Sequence, residues 1–389
     1  MTDAASRLLY FHTGTWKTGT TALQLHLNHN QARLAELGIS YEFHPAADRK
    51  EGNGGFLNNE MQGRHVPSSK LAGILEDYFA GRSIAICSSE DFTGFGRAEW
   101  EQVFDACAQL GIQPRTITYV RDVAPYYRSM HAQLFKAGQY SAELRDFCRG
   151  NCYLAVVESL GLLHKLLGRD AMSVMHYESI LQQVDIPFMA AIGVAPEQFD
   201  GRMLAKRPNR SFTNYEMQLL RRVIRLTGGQ YAHDLSIYLI GRRPDLKPER
   251  GLEPELEQLL RERHQDDLAW INQLFFGGAQ VVRLTADEPA DAAAGELSAE
   301  VVQAIDRDVA EWCLQKLQSA QAASANYVAE RLHSIDWDNI NNPALPADFD
   351  PIAYLLQNLD VMRAGAPPCE HFLKSGRQEK GRRWRWQSR

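Results

Sequence analysis

The stretch Leu8–Leu27, LLYFHTGTWKTGTTALQLHL, decides the fold. An apolar run breaks into Gly, Thr, Lys, Gly, Thr and Thr, then resumes with the periodicity of an amphipathic helix. A strand that passes through a loop into a helix N-terminus leaves backbone N–H groups unpaired beside the positive end of the helix dipole. Gly14 and Gly19 remove side chains where an anion has to approach the backbone. Lys17 adds a point charge, and Thr18, Thr20 and Thr21 add hydroxyl donors. The pattern reads as a phosphate- or sulfate-binding loop; the plain alternative is a Gly/Thr-rich turn with no ligand.

A Walker A loop, G-x-x-x-x-G-K-[ST], carries its lysine directly after the last glycine. Here GTWKTGTT keeps the gap between the glycines but places Lys17 before the second one. The next β-rich run ends ICSSED, with a serine pair where a Walker B aspartate would be sought. A metal-free phosphate ligand is therefore better supported than a nucleoside triphosphate with magnesium.

Outward from the loop, β-rich runs recur at 8–12, 83–89, 116–121 and 171–179. Helical patterns lie between them, two ending at Gly38 and Gly111 as helix stops and another spanning Leu144–Leu167. Strands alternating with helices predict an α/β fold, a parallel sheet flanked by helices with ligands beyond the carboxyl ends of its strands. Residues 50–70, rich in Gly and Asn, read as a loop or lid. After about residue 205 the pattern is mainly helical, with a linker at 285–298 and a long helix over roughly 298–334. The division expected is an α/β domain at 1–285, a linker and long helix at 286–345, and a small helical module with a basic tail at 346–389.

Net charge is −6, so the chain as a whole does not attract nucleic acid, and an anionic ligand needs a local cluster of cations. The six cysteines form neither a disulfide framework nor a zinc pattern, which suits reduced thiols in a cytosol. The N-terminal residues show no signal peptide, and no stretch approaches the roughly 18 apolar residues of a membrane span. A cytoplasmic protein is expected.

HTGTWKTGTTALQ (12–24) resembles the 5′-phosphosulfate loop of sulfotransferases that use 3′-phosphoadenosine 5′-phosphosulfate, especially the KTGTT form of bacterial and heparan-type enzymes. The family's second signature, an arginine at a strand end with a serine eight residues on, is matched by YVRDVAPYYRSMHAQL, with Arg121 and Ser129. The resemblance implies a P-loop NTPase-like core over roughly 7–280 and a donor held by the loop Gly14, Thr15, Trp16, Lys17, Thr18, Gly19, Thr20 and Thr21. Arg121 would offer a planar fork to phosphate oxygens, and Ser129 a hydroxyl from the following helix. The family's early loop lysine reaches the oxygen bridging phosphate and sulfur, a role that falls on Lys17, and no metal is implied.

The base that takes the acceptor's proton is, in relatives, a histidine or glutamate at the end of the strand after the first helix. Here that strand ends Ser88, Ser89, Glu90, Asp91, so Glu90 is the choice, while a solvated carboxylate or a helix cap at Asp91 is the bland alternative. His12, closing the first strand, competes as base or as a residue that orients the loop. The stretch at 205–223 is similar to a family segment in which a basic, Asn- and Ser-containing turn precedes a helix, so Arg207, Asn209, Arg210 and Ser211 could close over the donor's 3′ phosphate or adenine; the same letters also suit a plain helix start capped by Thr213 or Asn214. Glu178, in MHYESIL, is expected to anchor the sheet end, and Trp16 departs from the smaller residues of relatives. The tail at 349–383 resembles a short module of bacterial surface-glycan synthesis proteins, whose biochemical role does not follow from its residues. The closing RRWRWQSR reads as a solvated tail or as a contact with anionic glycan, glycan-assembly proteins or a membrane surface. The acceptor expected is a glycan or glycolipid hydroxyl. The alternatives are a P-loop kinase using ATP and magnesium, and a noncatalytic glycan-assembly scaffold.

Overall fold

The computed structural model describes residues 7–47, 52–150, 155–181, 183–198, 210–227, 229–246, 252–285, 297–333, 335–379 and 382–384. The chain divides into two compact units, Met1–Val302 and Gln303–Arg389. In the first, strands β1 (Arg7–His12), β2 (Ile39–Ser40), β3 (Ile84–Ser88), β4 (Ile112–Val120) and β5 (Met172–His176) form one sheet in the order β2-β3-β1-β4-β5. Every pairing is parallel. The helices are α1 (Thr20–His29), α2 (Gln31–Glu36), α3 (Gly55–Met61), α4 (Ser68–Phe79), α5 (Arg97–Gln109), α6 (Val123–Lys136), α7 (Leu144–Gly150), α8 (Ala155–Leu167), α9 (Asp185–Ala191), α10 (Asn214–Thr227), α11 (Ala232–Arg242) and α12 (Pro254–Phe275). The predicted α/β class and parallel sheet are what the chain forms.

A parallel sheet is buried on both faces, and the period of two along β1 shows how. Leu9 and Phe11 enter the larger core with Leu71 and Leu75 of α4, Trp100 of α5 and Leu160 of α8. Tyr10 enters a second core with Leu23 and Leu27 of α1 and Phe188 and Met189 of α9. The next residue in that alternation, His12, leaves the sheet on the second face.

Around Gly38 two details depart from the sequence expectation. The helical pattern before Gly38 is two helices, parted at Asn30, whose side chain donates to the His26 carbonyl at 2.8 Å. After Gly38, with its positive φ of 76°, comes β2, a strand of two residues and too short to show a period.

Residues 50–70, expected as a loop or lid, contain α3, and the described part is fastened to the sheet. β2 pairs only with Ile84 and Ala85, which leaves the rest of β3 with an open edge. Asn53, fully buried, closes it: Nδ2 donates to the Ile86 carbonyl at 2.7 Å and to the Glu42 carbonyl at 3.0 Å, and Oδ1 accepts the Ser88 N–H at 2.8 Å. The flanking glycines permit this approach, since a Cβ on Gly52 would lie 2.3 Å from the Ser88 carbonyl oxygen. The Gly/Asn composition thus marks close contact with a strand edge.

The second unit contains α14 (Pro351–Gln357), α15 (Leu359–Ala364) and α16 (Pro368–Lys374). A further helix, α13 (Ala299–His333), contains the boundary between the units. Tyr354, Leu355, Val361, Cys369 and Phe372 form the second unit's core. Its motif residues have internal tasks. Asp350 caps α14 by accepting the N–H groups of Ile352 and Ala353, and Asn358 donates to the carbonyls of Tyr354 and Arg383. Gly376 leaves room for the Tyr354 hydroxyl, which a Cβ would approach to 2.1 Å. Among the described residues no helix is long and apolar enough to cross a membrane.

Replacing Asn53 by Ala strands a buried N–H and a buried carbonyl on β3. Urea denaturation is expected to show a loss of ~2–3 kcal/mol, the cost of unsatisfied backbone groups.

Candidate active site

The loop after β1 is held by its own threonines. Thr13 continues the strand direction, its N–H donating to the Ile117 carbonyl at 3.0 Å and its hydroxyl lying 2.6 Å from that of Thr118. Thr15 donates to the Tyr119 carbonyl at 2.7 Å, and Thr18 turns back to donate to the Thr15 carbonyl at 2.5 Å. These two hydroxyls, expected near the anion, therefore shape the loop. Trp16 Nε1 approaches Asp91 Oδ1 at 3.4 Å, which links the loop to the end of β3.

Lys17 has φ of 71°, a left-handed conformation that costs a residue with a Cβ about 1–2 kcal/mol. Arg121, one residue past β4, grips it: Nη1 donates to the Lys17 carbonyl at 2.7 Å, while Nε donates to Glu178 Oε1 at 3.0 Å. The Arg121 guanidinium also lies 5.2 Å above the centre of the Tyr177 ring. The fork expected to face phosphate is thus directed at protein. Glu178 in turn accepts the Asp122 N–H at 3.0 Å through Oε2, the sheet-end anchor expected of it, and burial pushes its carboxyl up despite Arg121.

α1 opens at Gly19, with φ of 79° and no side-chain cap, and its first helical bond runs from the Leu23 N–H to the Gly19 carbonyl. The amides ahead of that bond are the ones an anion can use. Gly14 faces two buried polar atoms that have no hydrogen-bond partner among the described residues, His12 Nε2 and Thr20 Oγ1. A Cβ on Gly14 would lie 2.7 Å from the first and 3.1 Å from the second. Thr21 is exposed.

Lys17 senses its surroundings in three ways. Burial lowers its pKa, the Glu90 charge raises it and the Arg121 charge lowers it. Glu90 and Arg121 therefore sit within electrostatic reach of the lysine. Glu90 begins a 3-10 turn, Glu90–Gly94, directly after β3, where the Ser89 hydroxyl caps the turn by accepting the Asp91 N–H at 3.3 Å. The structure so brings Lys17, Glu90, Trp16 and Arg121 together at the carboxyl ends of β1, β3 and β4.

Ser129 lies half-buried on the second turn of α6. Arg207 and Asn209 fall outside the described residues. Arg210 has strong partners of its own, a two-pronged pair with buried Glu216 at 2.8 and 2.6 Å and a donation to the Leu239 carbonyl at 3.2 Å. Ser211 is exposed. Thr213 and Glu216 form a reciprocal cap at the start of α10, with Thr213 N–H to Glu216 at 2.9 Å and Glu216 N–H to the Thr213 hydroxyl at 3.2 Å. The described part of this segment therefore has the makings of the helix start.

Sequence reasoning passed over Lys136. It follows Ser129 by seven positions on α6, two turns along the same face, and that spacing is the signal that was available. Its ammonium lies 5.1 Å above the Phe212 ring centre. Burial, with the charges of Lys17 and Arg210, brings its pKa down to about 8. Asp122, His176 and Glu178 hold ligand-type atoms within 4.8 Å of one another. They are engaged with protein: His176 Nε2 lies 3.1 Å from Asp122 Oδ1, which also accepts the Arg283 N–H at 2.8 Å, and Glu178 faces Arg121. This cluster reads as a brace below the loop.

No family model and no curated protein matches the chain. Among solved structures it is similar to a sulfotransferase from Alicyclobacillus acidocaldarius, at 14% identity and a TM-score of 0.37, over 69% of this chain and 95% of that one. It is also similar to the sulfotransferase domain of the Synechococcus PCC 7002 olefin synthase, at 14% identity and a TM-score of 0.28, over 66% of this chain and 93% of that one.

A lysine with a lowered pKa is charged below that pKa and neutral above it. Affinity for inorganic phosphate, used as an anion probe of the loop, is expected to fall as pH rises through about 8. The loss should be about fivefold, the scale of one partly screened charge. Calorimetry across pH 7–9 checks this, and K136Q is expected to flatten the curve.

Proposed function

We propose that this chain transfers a sulfuryl group from 3′-phosphoadenosine 5′-phosphosulfate to a hydroxyl of a glycan or glycolipid acceptor. The observation that carries the reading is the convergence of Lys17, Glu90 and Arg121 at three neighbouring strand ends, with the charges of Glu90 and Arg121 felt at Lys17. The resemblance of the loop and of the Arg121–Ser129 pair to the family motifs supplies the identity of the donor. The pair of unsatisfied atoms beside Gly14, at an uncapped helix start, suits an anionic group of that donor.

In-line transfer needs three things of the protein: alignment, stabilisation of the leaving oxygen and removal of one proton. The acceptor oxygen bonds to sulfur as the bond from sulfur to the bridging oxygen breaks. Lys17 neutralises the charge that grows on that oxygen, and Glu90 takes the hydroxyl proton. The products are a sulfate ester and 3′-phosphoadenosine 5′-phosphate. Arg121 acts through its hold on the Lys17 carbonyl, which keeps the lysine in its left-handed position. Reduced, buried thiols at Cys87, Cys107 and Cys148 suit a cytoplasmic setting for this chemistry.

Isothermal titration of the full chain with 3′-phosphoadenosine 5′-phosphate is expected to show binding without magnesium. Donor-dependent transfer of labelled sulfate to a panel of glycan, lipid and phenolic acceptors then identifies the acceptor class. K17A and E90Q are each expected to abolish transfer, and E90Q to leave nucleotide affinity within about threefold, since it removes a base and no donor contact. Magnesium-dependent ATP binding in place of nucleotide bisphosphate binding would sink the proposal in favour of a kinase.

A further inference from the structure

Behind the loop lies a chain of three polar side chains that settles which proton His12 carries. The His12 ring is fully buried, edge-on to Tyr119 and Phe188 with ring centres 5.6 Å away in each case. Its Nδ1 lies 2.8 Å from the Ser88 hydroxyl, and its Nε2 has no hydrogen-bond partner among the described residues. The Ser88 hydroxyl is also 3.1 Å from Gln24 Nε2, and the same Gln24 nitrogen reaches the Ser88 carbonyl oxygen at 3.5 Å.

A carbonyl oxygen only accepts, so the NH2 end of Gln24 faces Ser88. Gln24 then donates to the Ser88 hydroxyl oxygen; that oxygen has a second lone pair for an Nδ1–H, but the buried Ser88 proton would then have no acceptor among the described residues, so it goes to His12 Nδ1. An Nδ1 that accepts leaves the proton of the neutral ring on Nε2. Complete burial depresses the imidazole pKa to about 3, so no second proton joins it near neutrality.

Nε2 borders the position where a Cβ on Gly14 would fall, 2.7 Å from it, and Thr20 Oγ1 borders the same point at 3.1 Å. Two unsatisfied polar groups nine-tenths buried or more flank the glycine that opens the loop, at a helix start with no side-chain cap. Buried groups of this kind are costly without partners, and both are of a type that can donate to an anionic oxygen.

We propose that His12 is a neutral hydrogen-bond donor, fixed in its Nε2–H tautomer by the Gln24–Ser88 relay, and that Nε2–H binds an oxygen of the anion held by the loop. His12 is thereby removed from competition for the acceptor's proton, which falls to Glu90. That the anion is the 5′ phosphosulfate end of the donor rests on the proposed function; the tautomer and its relay do not.

Histidine-selective 15N labelling of the full chain reads the tautomer directly, because protonated and unprotonated ring nitrogens resonate far apart. The His12 signal is assigned by its loss in H12Q or, should that variant not fold, by proton contacts to the Tyr119 and Phe188 rings. The free protein is expected to show an unprotonated Nδ1 and a protonated Nε2, and the Nε2–H signal should move on addition of 3′-phosphoadenosine 5′-phosphate. H12Q, whose amide nitrogen can stand near the Nε2 position, should hold nucleotide affinity within about threefold. H12N, whose amide matches Nδ1 instead, should lose about tenfold, the scale of one hydrogen bond to a charged group. An Nδ1–H tautomer, an imidazolium, or equal losses in the two variants overturns the proposal. If the nucleotide does not bind at all, the proposed function falls, and inorganic phosphate becomes the probe: an Nε2–H signal unmoved by a phosphate that binds overturns the donation.

Discussion

The carbonyl of Lys17 is the point from which the rest of the site is arranged. A lysine in a left-handed conformation persists only where its surroundings make the alternative worse. Arg121 supplies that constraint by donating to the Lys17 carbonyl, and Glu178 orients Arg121 from the end of β5. The chain of contacts spans three neighbouring strand ends, β1, β4 and β5, so the parallel sheet is what makes it possible. Parallel strands end their carboxyl termini on one side, and three elements far apart in sequence meet there.

A different constraint governs the other side of the loop. β3 has a full-length neighbour on the β1 side but only two paired residues on the β2 side. Asn53 completes the open edge with side-chain bonds to Ile86 and Ser88, and Gly52 and Gly54 let it approach. The position of Ser88 is thereby set from both directions, and Ser88 touches both His12 and Gln24. An apparent lid segment and a loop residue are coupled through one strand end. The Glu90 backbone follows two residues later, within a turn whose carboxylate lies in electrostatic reach of Lys17.

The parts of the site that were legible in the sequence are those in which one local rule suffices. Loop glycines and hydroxyl residues ahead of a helix pattern marked the turn from β1 into α1, and the strand-end position of Arg121 was legible too, although its fork meets the Lys17 carbonyl and Glu178 where a phosphate was expected. Lys136 was less visible because its relation to Lys17 passes through the packing of α6, although the seven-residue step from Ser129 contained a hint. Arg210 shows the reverse. Its letters suit a phosphate clasp, but buried Glu216 and the Leu239 carbonyl are among its partners, and the second, 29 residues on, comes near only through the packing of α10 and α11.

By itself the sequence determined the alternation of strands and helices, the strand–loop–helix that begins the chain, and the identity of the charges placed at strand ends. These follow from periods of 2 and 3.6 residues and from the conformational freedom of glycine, which are local properties. Only the tertiary structure decided what each polar group does. It turned Thr15 and Thr18 inward to hold the loop, gave Arg121 to the Lys17 carbonyl, and set His12 against Ser88 with its other nitrogen toward Gly14. The reason is that hydrogen-bond partners are chosen by proximity in space and by the cost of leaving a buried group unsatisfied. A chain reveals that proximity only after the sheet has brought its strand ends together.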